Sequence, residues 1–322
     1  MSERKIYEPK ELFVKRMRLL LEDEKDLEQF LESRKLKPKK SIRVNTLKIS
    51  PEKLKKRLIE EYKWKIKEFD GHPEIIRIES DLLPGESGKT VEHILGYYYV
   101  QEITSMMPII ALNPTKDDVM LDIAAAPGSK TTQAAAKMEN MGTIVANDLT
   151  TKRISILSAN LDRMGVSNTI MAKHEGVNLT ERFKKINMKF DKILLDAPCS
   201  GEGNMRVNPR TLLEWSEPMI KSLSRKQKKL AVSALEILKE DGVMIYSTCT
   251  HAPEENEEVI QHLIDNFKIK IEEIKLPLKT RPGITEWQGK KFDKDMKKAV
   301  RIYPHDNDME GFFLCKIRKI KE

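Results

Sequence analysis

Two cysteines in this chain each stand just past an apolar run, where a buried strand would end. Cys199 lies in Asp196-Ala197-Pro198-Cys199-Ser200-Gly201, after Ile193-Leu194-Leu195. Cys249 lies in Tyr246-Ser247-Thr248-Cys249-Thr250, after Val243-Met244-Ile245. In open α/β sheets, ligands bind just outside the carboxyl ends of strands. Two thiols placed there point to covalent chemistry, since a thiolate is a strong nucleophile. The competing reading is two small core residues, the usual fate of a free cysteine.

A second site is written earlier in the chain. The strand Val119-Met120-Leu121-Asp122-Ile123 runs into a loop of small residues, Ala124-Ala125-Ala126-Pro127-Gly128-Ser129, and a helix then starts at Lys130. Small residues let a ligand approach the backbone, and a helix N-terminus offers free N–H groups. The loop is not a Walker A motif, because Ser129 separates Gly128 from Lys130 and the first glycine is missing. With one glycine it is not G-x-G-x-x-G either. Asp148 ends the next strand, 20 residues after Gly128. An acid there takes ribose hydroxyls in doubly wound folds; the alternative is a helix cap. Glu175 ends the third strand in the same way and would reach the adenine side. Two such acids after a small-residue loop suit an adenosine without a pyrophosphate. S-adenosylmethionine is a ligand of that kind.

These residue types meet the needs of methylation at carbon 5 of cytosine. That carbon is a poor nucleophile. A thiolate adding to carbon 6 makes it enamine-like and able to take a methyl group. A base must then remove the carbon 5 proton so that the thiol can leave. Asp196, Lys130, Cys199 and Cys249 supply a nucleophile, groups that polarise the ring and an acid/base. The Asp-Pro-Pro-Tyr motif expected for amine methylation is absent.

The elements that must carry these residues follow from hydrophobic spacing. From about residue 100, strands and helices alternate, which predicts a parallel sheet. Strands are expected at 119–123, 143–147, 169–173, 191–195 and 242–247, and helices at 130–138, 151–164 and 221–239. A hairpin is expected between 299–303 and 312–317. The first 100 residues read as a small α+β domain. Helical spacing runs from Leu12 to Leu31, and Ser41–Leu47 alternates like a strand. Ser50-Pro51 opens a helix, and Trp64–Ile66 and Ile75–Ile78 read as further strands.

With 322 residues, 39% hydrophobic and 34% charged, the chain is polar but globular, enough for one large or two ordinary domains. No run approaches the ~18 apolar residues of a membrane span. Met1-Ser2-Glu3-Arg4-Lys5 is charged with no apolar stretch behind it, so no secretory leader is expected. Three cysteines without C-x-x-C spacing argue against a disulfide framework and a zinc site. A cytoplasmic monomer with no metal and no membrane partner is expected. The net charge is +8, unevenly spread: residues 34–67 hold 14 Lys and Arg against 3 Asp and Glu. Such a surface attracts phosphate backbones. Lys39, Lys40 and Arg43 are the expected RNA contacts. Cys315, His251, His305 and Tyr97-Tyr98-Tyr99 read as structural.

The motifs together resemble the RsmB/NSUN-type (Sun family) RNA (cytosine-5) methyltransferases. The resemblance rests on Asp122 to Thr131, Asp196 to Gly201, and Ser247-Thr248-Cys249-Thr250 followed by Glu255-Asn256-Glu257. It extends through Arg43-Val44-Asn45-Thr46-Leu47, Gln101-Glu102 with Ser105, Arg301 with Pro304-His305, and Gly311-Phe312-Phe313. It implies an α/β fold: a Rossmann-like class I S-adenosylmethionine-dependent methyltransferase domain at 101–322, behind a basic α+β (RRM-like) RNA-binding domain at 1–100. It implies that Cys249 attacks carbon 6 and that Cys199 assists release. Position alone leaves the two cysteines open, because DNA enzymes use a Pro-Cys nucleophile, which would select Cys199. It also implies cofactor contacts from Ala124, Ala125, Ala126, Pro127, Gly128, Ser129 and Lys130, and from Asp148, Glu175 and Asp196. Arg153 is a further cofactor candidate, with a surface salt bridge as the alternative. Ser129 departs from a usual glycine and Glu175 from a usual aspartate. Among family substrates transfer RNA is favoured and ribosomal RNA is the alternative. A non-catalytic RNA-binding factor and a DNA methyltransferase are the rivals outside that reading.

Overall fold

The computed structural model describes residues 6–321. The charged start Met1–Lys5, on which the expectation of no leader rests, lies outside them. Helices α1 (Glu11–Leu20) and α2 (Glu24–Ser33) come first, the second capped by the Asp23 carboxylate, which accepts from the Asp26 N–H at 2.8 Å. A four-stranded antiparallel sheet follows, built from β1 (Lys40–Val44), β2 (Ile66–Phe69), β3 (His72–Ile78) and β4 (Tyr98–Val100). Helix α3 (Pro51–Tyr62) connects the first two strands and α4 (Val91–Ile94) precedes the fourth. The order is β2-β3-β1-β4, and a four-stranded sheet is also what RNA-recognition modules use. β1 stops at Val44, short of the expected Leu47. The Asn45 side chain accepts from the Leu47 N–H at 3.3 Å and its carbonyl accepts from Lys48 and Ile49, which turns the chain.

The alternation in this sheet sorts its two faces. Ile42, Val44, Ile76, Ile78 and Tyr98 bury against Leu54 and Leu58 of α3. The opposite face, carrying Arg43, Ile75 and Tyr99, lies on the second part of the chain: Ile75 packs with Met107, Met120 and Ile144. Helices α1 and α2 do not join the small sheet's core. Phe13, Met17, Leu27 and Phe30 pack with Met205, Leu212, Trp215 and Tyr303. Ion pairs from Arg16 to Glu254 (2.6 Å) and from Arg281 to Asp26 (2.5 Å) fix them there.

After α5 (Met107–Leu112) the strand–helix alternation unfolds as expected. Strands β5 (Val119–Asp122), β6 (Thr143–Asp148), β7 (Thr169–Lys173), β8 (Phe190–Asp196) and β9 (Leu238–Thr248) pair in parallel. The connecting helices are α6 (Ser129–Lys137), α7 (Thr151–Met164), α8 (Gly176–Lys185), the short α9 (Thr211–Glu214) and α10 (Glu217–Glu236). The helix expected over 221–239 ends at Glu236 and β9 starts at Leu238. The strand absorbs the early start with an irregularity: its pairing with β8 slips between Phe190 and Lys192, and Asp241 takes a φ of 59°.

Beyond α11 (Glu257–Asn266) come β10 (Ile269–Glu272), β11 (Arg281–Pro282), the ribbon β12 (Glu286–Trp287) and β13 (Lys290–Lys291), β14 (Val300–Ile302), α12 (Pro304–Asn307) and β15 (Phe312–Lys319). The expected hairpin forms, with Val300 opposite Leu314 and Ile302 opposite Phe312. Among the described residues the large sheet has nine strands in the order β11-β14-β15-β9-β8-β5-β6-β7, with β10 also on β15. The chain winds outward from β5 through β6 to β7, then returns to β8 and β9. The order therefore reverses between β5 and β8, and the carboxyl ends beside that point form the crevice of a doubly wound fold. No helix among the described residues is long and apolar enough to cross a membrane.

Candidate active site

Strands β8 and β9 run parallel with Asp196 opposite Ser247, and the Ala197 N–H extends the pairing to the Ser247 carbonyl at 2.8 Å. The two cysteine-bearing turns therefore leave the sheet side by side. The Cys199 and Cys249 sulfurs stand 3.1 Å apart, and both thiols are free. The hydrogen bond with Cys249 and burial together push the Cys199 thiol well up. Either thiol can donate in this contact.

Lys130, the second residue of α6, crosses the reversal point to Asp196. Its Nζ lies 2.7 Å from Asp196 Oδ2 and donates to Ser105 Oγ at 2.8 Å. Asp196 Oδ1 accepts from Ser247 Oγ at 2.8 Å. The four residues expected to do chemistry thus form two joined pairs: two thiols, and an ammonium on a carboxylate.

Buried polar groups hold the turns in place. The Glu255 carboxylate accepts from the Ser200 N–H at 3.0 Å and from Gln227 Nε2 at 2.8 Å, clamping the turn that carries Cys199. Gln227 also donates to the Pro198 carbonyl at 2.8 Å. Arg301 pairs with Glu257 at 2.5 Å and donates to the His251 carbonyl at 2.9 Å, fixing the turn after Cys249. Burial raises the Glu255 carboxyl from 4.5 to about 7, against the pull of its hydrogen bonds. A carboxyl raised in the folded state stabilises below its unfolded value and loses that stability as pH rises toward its folded value. Stability should therefore fall between about pH 4.5 and 7. Glu255→Gln should lessen that fall by roughly 3 kcal/mol, the free energy linked to holding one proton across that pH interval. Urea unfolding of both proteins at pH 5 and pH 8 checks this; equal losses would remove Glu255 as the source.

The small-residue loop is pinned between strand ends. The Ala125 N–H donates to the Asn147 carbonyl at 2.8 Å and the Ala126 N–H to Asp148 Oδ2 at 3.0 Å. Gly128 caps α6 with φ 102°, and a Cβ there would stand 2.9 Å from Leu157 Cδ1. Beneath the loop, Asp122 Oδ2 accepts from Thr131 Oγ1 at 2.7 Å, while its Oδ1 is buried with no hydrogen-bond partner. Burial lifts this carboxyl to about 7. A partnerless buried oxygen beside small residues and a helix N-terminus fits a site completed by a hydrogen-bonding ligand. The residues present therefore suit an adenosine-bearing cofactor.

Asp148 does not cap α7: Thr150 does, accepting from the Arg153 N–H at 3.3 Å. Asp148 instead accepts from Ala126 and, at 2.6 Å, from Arg153 Nε. Arg153 also donates to the Ala126 carbonyl at 2.7 Å, so it braces both the acid and the loop. Glu175 caps α8, accepting from the Asn178 N–H at 3.0 Å, and keeps its other oxygen outside that bond.

Arg43 departs from expectation. It is 1% exposed, so no phosphate can reach it, and it is withdrawn from the RNA-contacting set. It sits on the inward face of β1, and alternation alone does not say what covers a strand's second face. Lys39 and Lys40 stay near the surface. With Lys37 they line a groove of about 290 Å³, and Lys39 also donates to the Glu79 carbonyl at 3.1 Å. Tyr99 lies against the Arg43 and Arg163 guanidiniums, at 5.5 and 5.4 Å, and is buried, so it offers no base a free face. His251 stacks on Tyr303 at 4.8 Å, burial holds it well below its ordinary value, and it stays neutral. His305 faces Asp26 at 2.7 Å, and Cys315 is core. Ser105, Asp122, Ser247 and Glu255 join the site without having been singled out as site residues. All four lie inside the quoted motifs. Nothing in the run Glu254-Glu255-Asn256-Glu257 says which acid meets which partner.

A model of the family described as 16S rRNA methyltransferase RsmB/F matches residues 109–318. Another, for the N-terminal domain of 16S rRNA methyltransferase RsmF, matches residues 9–103. The tRNA (cytosine(49)-C(5))-methyltransferase of Pyrococcus abyssi is 42% identical over 283 residues, which cover 87% of this chain and 88% of that one. Ribosomal RNA small subunit methyltransferase F of Erwinia tasmaniensis is 38% identical over 313 residues, 96% of this chain, but this chain spans 63% of its length. A methyltransferase homolog from Pyrococcus horikoshii superposes with a TM-score of 0.85 at 35% identity, covering 97% of this chain and 95% of its own. NSun6 from Pyrococcus horikoshii, solved with the S-adenosylmethionine analogue SFG, gives 0.84 at 26% identity, covering 97% and 99%. A reversal-point crevice, a small-residue loop and a thiol pair are thus joined to family matches along most of the chain: it belongs to the RsmB/F family of S-adenosylmethionine-dependent RNA cytosine-5 methyltransferases.

Proposed function

We propose that this protein methylates cytosine in transfer RNA through a covalent bond from Cys249 to carbon 6 of the base. The thiol pair carries the reading. Two sulfurs 3.1 Å apart let one attack while the other assists release, and the hydrogen bond and burial that push the Cys199 thiol up favour Cys249 as the nucleophile. Addition of the Cys249 thiolate makes carbon 5 electron-rich. Lys130 and Asp196 face the polar edge of the pyrimidine and stabilise the charge that develops there. Ala124–Lys130 with Asp148 and Glu175 would hold S-adenosylmethionine, which would supply the methyl group. A water molecule acting as base then takes the carbon 5 proton, the carbon 5–carbon 6 double bond re-forms, and the carbon–sulfur bond breaks to return the Cys249 thiolate, with Cys199 beside the departing sulfur. The target base leaves its stack to enter the crevice.

Transfer RNA is preferred over ribosomal RNA on similarity: the chain is 42% identical to the Pyrococcus abyssi tRNA enzyme and 38% identical to the ribosomal RNA enzyme. Bisulfite sequencing of total RNA treated with the protein and S-adenosylmethionine tests this. New 5-methylcytosine should appear in transfer RNA; its appearance in ribosomal RNA alone, or nowhere, overturns the reading.

Two binding predictions go with it. Asp148→Ala should weaken S-adenosylmethionine by about 1–3 kcal/mol, the scale of a lost charged hydrogen bond, and leave RNA affinity unchanged. Calorimetry with the cofactor alone decides this. Reversing Lys39 and Lys40 to Glu should weaken RNA and reduce the slope of log affinity against log salt by roughly one per lost phosphate contact. An unchanged slope places the RNA elsewhere.

A further inference from the structure

The face of a four-stranded sheet that RNA-recognition folds offer to bases is used differently here. It is laid on the second domain, with Arg43 at its centre. Arg43 Nη1 donates to the Ser129 carbonyl at 2.5 Å and to Gln101 Oε1; Nη2 donates to Thr132 Oγ1 at 2.8 Å. Ser129 and Thr132 flank Lys130 on the first turn of α6. Beside it, Tyr99 Oη donates to the Pro127 carbonyl at 3.4 Å, and Asn160 donates to the same carbonyl at 2.9 Å. Gln101 passes the contact on through Nε2 to the Ser105 carbonyl at 3.2 Å, and Ser105 Oγ receives the Lys130 ammonium at 2.8 Å.

A buried guanidinium is costly unless its donors are satisfied. No carboxylate forms an ion pair with Arg43 among the described residues. Its hydrogen-bonding partners are neutral oxygens and its flanking surface is the Tyr99 ring. Burial lowers the group to about 9. An apolar residue would join the two domains without this cost. What the cation adds is geometry: a planar fork that reaches three acceptors on two elements at once, which the single ammonium of lysine cannot match.

We propose that Arg43 is a positioning residue for the methyl-donor site. Through the Ser129 carbonyl and the Thr132 hydroxyl it fixes the first turn of α6, and with that turn the cofactor loop and the Lys130 ammonium. The small N-terminal sheet thereby completes the cofactor site. By linkage, any RNA-induced shift of that sheet is felt in cofactor affinity, and the reverse.

The test uses Arg43→Lys and Thr132→Val in the full chain, singly and together. Calorimetry gives S-adenosylmethionine affinity without RNA, so the result does not depend on which RNA is methylated. Arg43→Lys should weaken the cofactor at least tenfold and speed amide hydrogen exchange at residues 129–133. RNA affinity and its salt slope should stay unchanged. Thr132→Val should cause a smaller loss of the same kind, and the double variant should lose less than the two single losses together, because both remove one contact. Two results overturn the proposal. One is weaker RNA binding with a shallower salt slope and intact cofactor affinity, which makes Arg43 a phosphate contact. The other is lowered thermal stability with both affinities and the 129–133 exchange unchanged, which makes it only a tie between domains. If Arg43→Lys fails to fold, Thr132→Val alone decides by the same cofactor and exchange readouts.

Discussion

Cys199→Ala is expected to accumulate as a covalent RNA adduct, seen as a retarded band on a denaturing gel. Cys249→Ala should form none and should lose methyl transfer while keeping cofactor binding. The asymmetry follows from the site. Both sulfurs lie at the ends of adjacent parallel strands, 3.1 Å apart, so either is close enough to attack. Their surroundings tell them apart: the hydrogen bond with Cys249 and burial disfavour a thiolate at Cys199. Without Cys199 the attack and the methyl transfer still proceed, but release of the product stalls. The double variant should behave like Cys249→Ala, with turnover reduced by several orders of magnitude, as when a nucleophile is removed. An adduct in Cys249→Ala instead would reverse the roles. If neither single variant traps RNA, the covalent route falls while fold and cofactor stand.

Gly203→Ala should be the most damaging small substitution outside the chemistry. The Gly203 N–H donates to the Cys249 carbonyl at 2.9 Å, and its own carbonyl accepts from the Gly311 N–H at 2.9 Å. A Cβ on Gly203 would stand 2.2 Å from the Gly311 carbonyl oxygen and 2.6 Å from its carbon. These are backbone atoms at the start of β15 and have no rotamer to yield with. Overpacking of this sort costs about 1–3 kcal/mol, and more where backbone must move. Relief would shift the turn carrying Cys249. Methyl transfer should therefore fall at least tenfold even at temperatures where the variant is fully folded, which circular dichroism can establish. Near-normal turnover with a lowered melting temperature would confine the contact to stability.

The parallel sheet could be read from the sequence because each buried strand is a short apolar run ending in a polar motif, and each helix opens at a recognisable signal. Asp148 and Asp196 stand at the strand ends where the runs placed them, and β5 ends at Asp122, one residue before the expected Ile123. The approach of the two cysteines needed one further fact, the adjacency of β8 and β9, which topology supplies and spacing does not. Arg43 was misplaced for a related reason. Charge and alternation say that it lies on the face of β1 opposite the apolar one; they do not say whether water or another domain covers that face. Glu254, Glu255 and Glu257 show the same limit. All three turn inward, onto Arg16, the Ser200 N–H and Arg301, and a run of acids does not reveal that in advance.

β15 sits between β9 and β14, although it is made after both. While the chain is still on the ribosome, the five parallel strands can assemble, but β9 keeps an open edge until Phe312–Lys319 emerge. The stretch from Thr248 to Phe312 takes several seconds to synthesise at about 5–20 residues per second. Through that interval the turn carrying Cys249 has no Gly311 behind Gly203, and Val300–Ile302, paired with β11 on one side, has no β15 on the other. The turn that carries Cys249 is thus made early and set in place last, so methyl transfer is expected only once β15 has paired with β9.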